Sequence, residues 1–240
     1  MPVVTDILIN VAASLIFFVI GYLTNKTVTV LSLKRIFGRF WQRFFNDSTL
    51  IIVPTLTKNA SDITTISLLY SELKIGSMID EILRKFNKNI ILQEEKFAVD
   101  KLMNYNLILI GSPSTNKLIK EIFEDITIPI DFKDNKLIYK KEKEFETIYD
   151  EENLIVEDYG VIILDTNYYN PIYNMVIIAG NIPIGTYNAA KVISKTKSLR
   201  RILKYKYSNN FLIFIKTKII DNFMSDPEII LVESFKDHIL

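Results

Sequence analysis

NLILIGSPSTNKLIKEI, residues 106–122, sets the grammar of the chain. An uninterrupted apolar run ends at Gly111, a Ser/Pro/Thr/Asn loop follows, and a helical pattern runs on to about Asp125. Apolar runs of that length bounded by turn residues read as buried strands, and strands alternating with helices argue for a parallel sheet covered on both faces. The same unit recurs on either side. LIIVPT (Leu50–Thr55) precedes a helical pattern from Ser61 or Asp62 to about Phe86, and NIILQ (Asn89–Gln93) precedes one reaching about Asn104. GVIILD (Gly160–Asp165) and NMVIIAG (Asn174–Gly180) resume the sheet, and a helix is predicted from Gly185 to about Tyr205. FLIFIKTKII and EIILVES supply two late strands, and residues 128–153 read as a hairpin with an acidic excursion. The expected fold is α/β: an open, mostly parallel sheet with helices on both faces.

Two of the junctions carry polar side chains suited to binding. Ser112, Ser114, Thr115 and Asn116 follow one strand, and Asn181 and Thr186 follow another. Ligands of open α/β sheets sit at the carboxyl ends of strands, where helix N-termini offer N–H groups to anions. A cleft between Gly111 and Gly180 is therefore expected, open to a nucleotide. Neither loop is a GxGxxG or GxxxxGK[ST] motif, and both equally fit turn and cap chemistry. An enzyme there would need an acid–base pair from Asp165, Glu121 or Asp158. The chain has no cysteine and one histidine, His238, close to the C-terminus, so thiolate chemistry is excluded and imidazole chemistry has little basis. No cofactor and no metal is expected.

The words of these loops carry a resemblance. NLILIGSPSTNKLIKEI with VIIAGNIPIGTYNAAKVIS resembles the Rossmann-like domain of archaeal surface-layer-type proteins and related stand-alone domains. In those, one strand ends in Gly-Gly-Pro and an Asn, and a later one ends in Ala-Gly before a Gly-Thr-x-x-Ala-Ala helix. Gly111, Pro113 and Asn116 match the first, with Ser112 in place of the second glycine. Ala179, Gly180, Gly185, Thr186, Ala189 and Ala190 match the second. The resemblance implies a fold and no activity.

Residues Ile7–Asn25, ILINVAASLIFFVIGYLTN, contain no charge. A bilayer core of about 30 Å takes roughly 20 such residues as a helix. Residues 1–26 are therefore expected to form one transmembrane helix. No basic residue precedes the run, whereas Lys26, Lys34, Arg35, Arg39 and Arg43 follow it. The positive-inside rule then puts the N-terminus outside and the rest of the chain in the cytoplasm, a single-pass protein of the cell membrane. Asn10, Ser14, Gly21 and Asn25 share one stripe, which favours helix association. Residues 27–47 read as a basic-aromatic helix lying on the inner leaflet, with Phe37, Phe40, Trp41 and Phe44 expected at headgroup level, the alternative being that these rings pack under the globular domain. Residues 48–240 are the α/β domain.

The net charge of +1 hides segregation. From Thr166 to Ile220 there is no acid, while Lys191, Lys195, Lys197, Arg200, Arg201, Lys204, Lys206, Lys216 and Lys218 are basic. Residues 142–158 hold the acids Glu142, Glu144, Glu146, Asp150, Glu151, Glu152, Glu157 and Asp158. Either these neutralise one another, or they face an anionic and a basic partner separately. Anionic lipid is the expected partner of Lys34, Arg35, Arg39 and Arg43 and of Lys195, Lys197, Arg200, Arg201, Lys204 and Lys206. Nucleic acid, with Tyr205 and Tyr207 as stacking rings, ranks below it. The layout of one span and a cytoplasmic Rossmann-like domain also resembles membrane effectors of prokaryotic antiviral defence, those accompanying short Argonautes in particular. That likeness implies a non-enzymatic effector or receptor, recruited by a partner such as an Argonaute-type complex, self-associating and depolarising the membrane.

Overall fold

The computed structural model describes residues 35–44, 47–55, 63–86, 89–97, 99–125, 128–134, 136–204, 210–221 and 223–235. The chain divides into two units, Met1–Phe40 and Trp41–Leu240. In the first, residues 35–40 are helical, with Arg35 and Arg39 exposed. No helix among the described residues is long and apolar enough to cross a membrane. The run Ile7–Asn25, its stripe Asn10, Ser14, Gly21 and Asn25, and Lys34 lie outside the described residues.

The second unit is built on strands β1 (Thr49–Val53), β2 (Ile90–Glu94), β3 (Asn106–Ile110), β4 (Ile130–Lys133), β5 (Lys136–Tyr139), β6 (Lys143–Glu146), β7 (Ile148–Tyr149), β8 (Ile155–Thr166), β9 (Asn174–Gly180), β10 (Phe211–Ile220), β11 (Phe223–Met224) and β12 (Glu228–Ser234). Its helices are α1 (Ile63–Arg84), α2 (Lys117–Asp125), α3 (Pro183–Ser194) and α4 (Thr196–Ile202). The main sheet runs β11-β10-β8-β9-β3-β1-β2, with β12 added to β10 and β7 to β8. Strands β2, β1, β3 and β9 are parallel. All residues of β1 and β3 are buried, as strands covered on both faces should be.

Beyond β9 the sheet turns antiparallel, through β8 and β10 to β12. A parallel entry of GVIILD beside NMVIIAG is excluded by chain length. Only residues 167–173 join β8 to β9, and a parallel crossover needs about a dozen or more.

Helices α1 and α3 cover one face of the sheet. Leu50, Ile52, Leu107, Leu109, Ile163 and Phe214 point to the other face, against Leu118, Ile119 and Ile122 of α2. The remainder of that face is roofed by a separate three-stranded sheet, β4-β5-β6. Its Tyr139 and Phe145 stack on Phe214 of β10, with centroids at 5.3 and 4.9 Å. The region expected as a hairpin is thus a third layer. Trp41 and Phe44 are also core residues, 0% and 1% exposed and edge-to-face at 5.6 Å. Buried in the domain, neither ring is free to sit at headgroup level, which corrects that part of the expected leaflet helix.

Candidate functional site

The two glycine loops come together because β3 and β9 are adjacent and parallel. Gly111 ends β3 with φ at +111°, a backbone that L side chains rarely adopt. The turn closes with Thr115 N donating to the Ser112 carbonyl at 3.0 Å. Asn116 is fully buried and starts α2: its Oδ1 accepts from Leu118 N and Ile119 N at 3.1 and 3.4 Å, and its Nδ2 donates to the Ile110 carbonyl at 3.0 Å. It is a helix cap, and it leaves the cavity wall to its neighbours.

On the β9 side, Pro183 opens α3 without any cap from Ile182. Asp158 of β8 takes the capping role from across the sheet. Its Oδ2 accepts from Gly185 N at 2.6 Å and its Oδ1 from the Thr147 hydroxyl at 2.8 Å. Close approach makes this possible. A Cβ on Gly185 would overlap the Tyr159 carbonyl, and one on Gly160 would overlap the Gly185 carbonyl. The Gly-Thr helix start therefore exists to seat α3 flush on β8. Burial pushes the Asp158 carboxyl up to about 7, opposed by hydrogen bonds from Thr147, Tyr159, Gly185 and Ile182.

Between the loops lies a cavity of about 170 Å³, lined by Glu72, Ser112, Ser114, Thr115, Gly180, Asn181, Ile182, Pro183 and Thr186. A neighbouring hollow of about 150 Å³ shares Ser112, Ser114 and Asn181 and reaches Phe132 and Asp134 of the small sheet. Five of the six expected cleft residues thus converge, Asn116 being the exception. Glu72 was not expected. It is 2% exposed on α1, and its Oε1 accepts the Thr115 hydroxyl at 2.9 Å. Burial raises its carboxyl from the ordinary 4.5 to about 7, the Thr115 hydroxyl working against the shift. Its signal in sequence was position: Glu72 shares the stripe of Ile75, Gly76, Ile79 and Leu83, where only apolar or very small residues otherwise occur.

The cleft differs in chemistry from the anion site expected at such a junction. The first N–H groups of α2 are taken by Asn116 and by Glu95, which accepts from Lys117 N at 3.0 Å. That of Gly185 is taken by Asp158. A phosphate would have to displace carboxylates from both helix starts. Of the expected acid–base candidates, Asp165 pairs in register with Met175 at the far end of β9, because β8 runs antiparallel. Glu121 is exposed on α2. Asp158 is held in its cap. No group of three or more metal-binding side chains occurs among the described residues.

The charge segregation is partly cancelled. Lys216 pairs with Glu157 at 2.6 Å across β10 and β8, and Lys136 holds Glu144 and Glu146 at 3.4 and 3.0 Å. Lys195 pairs with Asp226 at 2.9 Å. It sits in extended backbone between α3 and α4, so the predicted single helix is two. Lys197, Arg200, Arg201 and Lys204 are exposed, and none pairs with an acid among the described residues. Lys206, Tyr205, Tyr207 and His238 lie outside the described residues, and Arg43 is half-buried. No protein-family model and no curated protein sequence matches this chain.

Proposed function

We propose that this protein is a membrane-anchored effector or receptor acting without turnover. In this reading its α/β domain meets anionic lipid through α4, and partner recruitment or self-association brings the membrane segments together to depolarise the cell. The observation that carries this is the cluster on and just after α4: Lys197, Arg200, Arg201 and Lys204 are exposed and form no ion pair among the described residues, while Lys216 and Lys195 of the same basic run pair with Glu157 and Asp226. Near a negative leaflet each such charge contributes about 1 kcal/mol. The uncharged run Ile7–Asn25 and the basic residues after it support a cytoplasmic domain held at that surface. The likeness in layout to antiviral membrane effectors supports a defence role. A nucleotide in the cleft has less support, since both helix starts already hold side-chain acceptors.

The test uses the full chain in nanodiscs. Hydrogen exchange across residues 195–204 is expected to slow when phosphatidylglycerol is added to phosphatidylcholine discs. Reversing Lys197, Arg200 and Arg201 to Glu should abolish that slowing and, in cells, the loss of membrane potential on induction. Equal exchange in both lipids, or depolarisation untouched by the reversal, would sink the reading.

A further inference from the structure

Ile172 is 84% exposed and Met103 is 58% exposed, and one side chain holds the two together. Asn170 accepts from Ile172 N through Oδ1 at 3.2 Å and donates through Nδ2 to the Met103 carbonyl at 2.8 Å. Asn167 pins the same loop. Its Nδ2 donates to the Leu102 and Tyr105 carbonyls at 2.7 and 2.9 Å, and its backbone N–H to the Tyr173 carbonyl at 2.8 Å. The loop, residues 167–173, reads NYYNPIY: it carries no charge, and its Tyr168 is also exposed. Apolar residues scattered singly over a surface need no explanation. Two that are fixed side by side by asparagine hydrogen bonds, on a tyrosine-rich turn, form a built apolar tip.

The tip lies at the amino ends of the parallel strands, where the chain also enters the domain. Asn174 Nδ2 donates to the Arg43 carbonyl at 3.4 Å and the Thr49 hydroxyl to the Phe44 carbonyl at 3.0 Å, so residues 41–44 sit at the starts of β1 and β9. Loop 167–173 leads into β9 and the turn Val99–Asn104 into β3, at the same end. Residues 26–40 alone separate Trp41 from the charge-free run Ile7–Asn25, a reach of at most about 50 Å. Helix α3 runs back from the carboxyl end of β9, and α4 joins it to Phe211, whose partner Leu164 is near the end of β8. The topology thus brings the cations of α4 toward the end that carries the tip. A protein partner would cover the apolar pair, but it gives no reason for cations and chain entry at the same end; an anionic bilayer accounts for all three.

We propose that Ile172 and Met103 dip into the headgroup region of an anionic leaflet, with Tyr168 at the interface, and so set which end of the domain faces the membrane. This rests on the membrane-anchored reading above. Tyrosine collects at that depth because its ring is apolar and its hydroxyl stays wet. Asp47 and Asp125 are exposed at this end too, so the tip enters shallowly and the carboxylates remain in water.

Because the chain lacks cysteine, Ile172→Cys can carry a single nitrobenzoxadiazole dye on the full chain in nanodiscs. Discs of phosphatidylcholine and phosphatidylglycerol that include a lipid with a nitroxide high on its acyl chain should quench the dye at 172. The same dye on Ser114→Cys, exposed at the carboxyl ends of the strands, should keep its emission. Adding Met103→Asp, a change at an exposed position, should weaken quenching at 172, with an unchanged thermal midpoint as the check on folding. Hydrogen exchange across residues 195–204, measured in the same discs, keeps the two readings apart. Exchange slowed by phosphatidylglycerol without quenching at 172 overturns the tip and leaves the effector reading standing. Quenching at 172 with exchange unaltered keeps the tip and discards α4 as the lipid contact. Equal quenching at 172 and 114, or quenching indifferent to Met103→Asp, would also overturn the proposal. So would emission at 172 that shifts with protein concentration and ignores the nitroxide, which would give this face to a protein.

Discussion

Gly185 tolerates no side chain, and the reason is the backbone of β8 at Tyr159. The Cβ of Gly185→Ala would fall on the Tyr159 carbonyl, which has no rotamer to escape into. Overpacking of this kind costs about 1–3 kcal/mol, and the rigid neighbour places Gly185→Ala near the top of that range. A lowered urea midpoint at unchanged slope is the expected result. Glu72 predicts a pH dependence. Its folded carboxyl sits at about 7, above the ordinary 4.5, so the folded state binds the proton more tightly. Stability from this group is complete below pH 4.5 and is lost as pH rises through 7, by up to about 3 kcal/mol. The chain should therefore be more stable at pH 5 than at pH 8, and Glu72→Gln should reduce that difference. Asp158, raised from the ordinary 3.8 to about 7 despite its hydrogen bonds, acts in the same direction and should account for what remains. At this scale the sequence was legible wherever a side chain sat in a loop. Ser112, Thr115, Asn181 and Thr186 could be read from the junctions alone. Glu72 lies 40 positions from Ser112 in the chain, and only the packing of α1 on β1 and β3 brings it in.

Elements were legible in proportion to their burial. β1, β3 and β9 are continuous apolar runs, and they lie where the hydrophobic pattern puts them. β8 begins at Ile155, earlier than GVIILD, because its charged start is stabilised by partners: Glu157 by Lys216, Asp158 by Thr147 and Gly185. Those partners are remote in sequence, so the acids read as loop. The three-stranded sheet was hidden for the same reason. Its strands are four residues each, and its hold on the core runs through Ile130, Leu137, Tyr139 and Phe145. Phe145→Ala should cost about 3–5 kcal/mol, the usual range for a buried aromatic. Because the Asn181 amide donates to the Phe145 carbonyl, exchange should rise across both residues 130–146 and the turn after β9. A loss spread evenly over all strands would show that the small sheet is no separate layer.

At the scale of the whole molecule the proposed anchoring turns on where charge and apolar length would fall relative to a bilayer. The uncharged run Ile7–Asn25 ends just before five basic residues with no acid until Asp47, and the domain then keeps three exposed cations on α4 and a fourth, Lys204, just after it. Basic residues within about 15–20 positions of a span favour the inner side, so in the proposed arrangement the cluster after the run sets the orientation and α4 shares it. The chain lacks cysteine, which makes the question directly measurable. A single cysteine replacing Thr5 should react with a membrane-impermeant maleimide in intact cells. One replacing Lys197, exposed on α4, should react only after lysis. Labelling of Lys197→Cys in intact cells would put the basic helix outside and remove the anionic inner leaflet as its partner. Labelling of neither site before lysis would mean that the run does not cross at all. The outcome separates a spanning anchor from an apolar helix buried against a protein, which hydropathy alone treats alike.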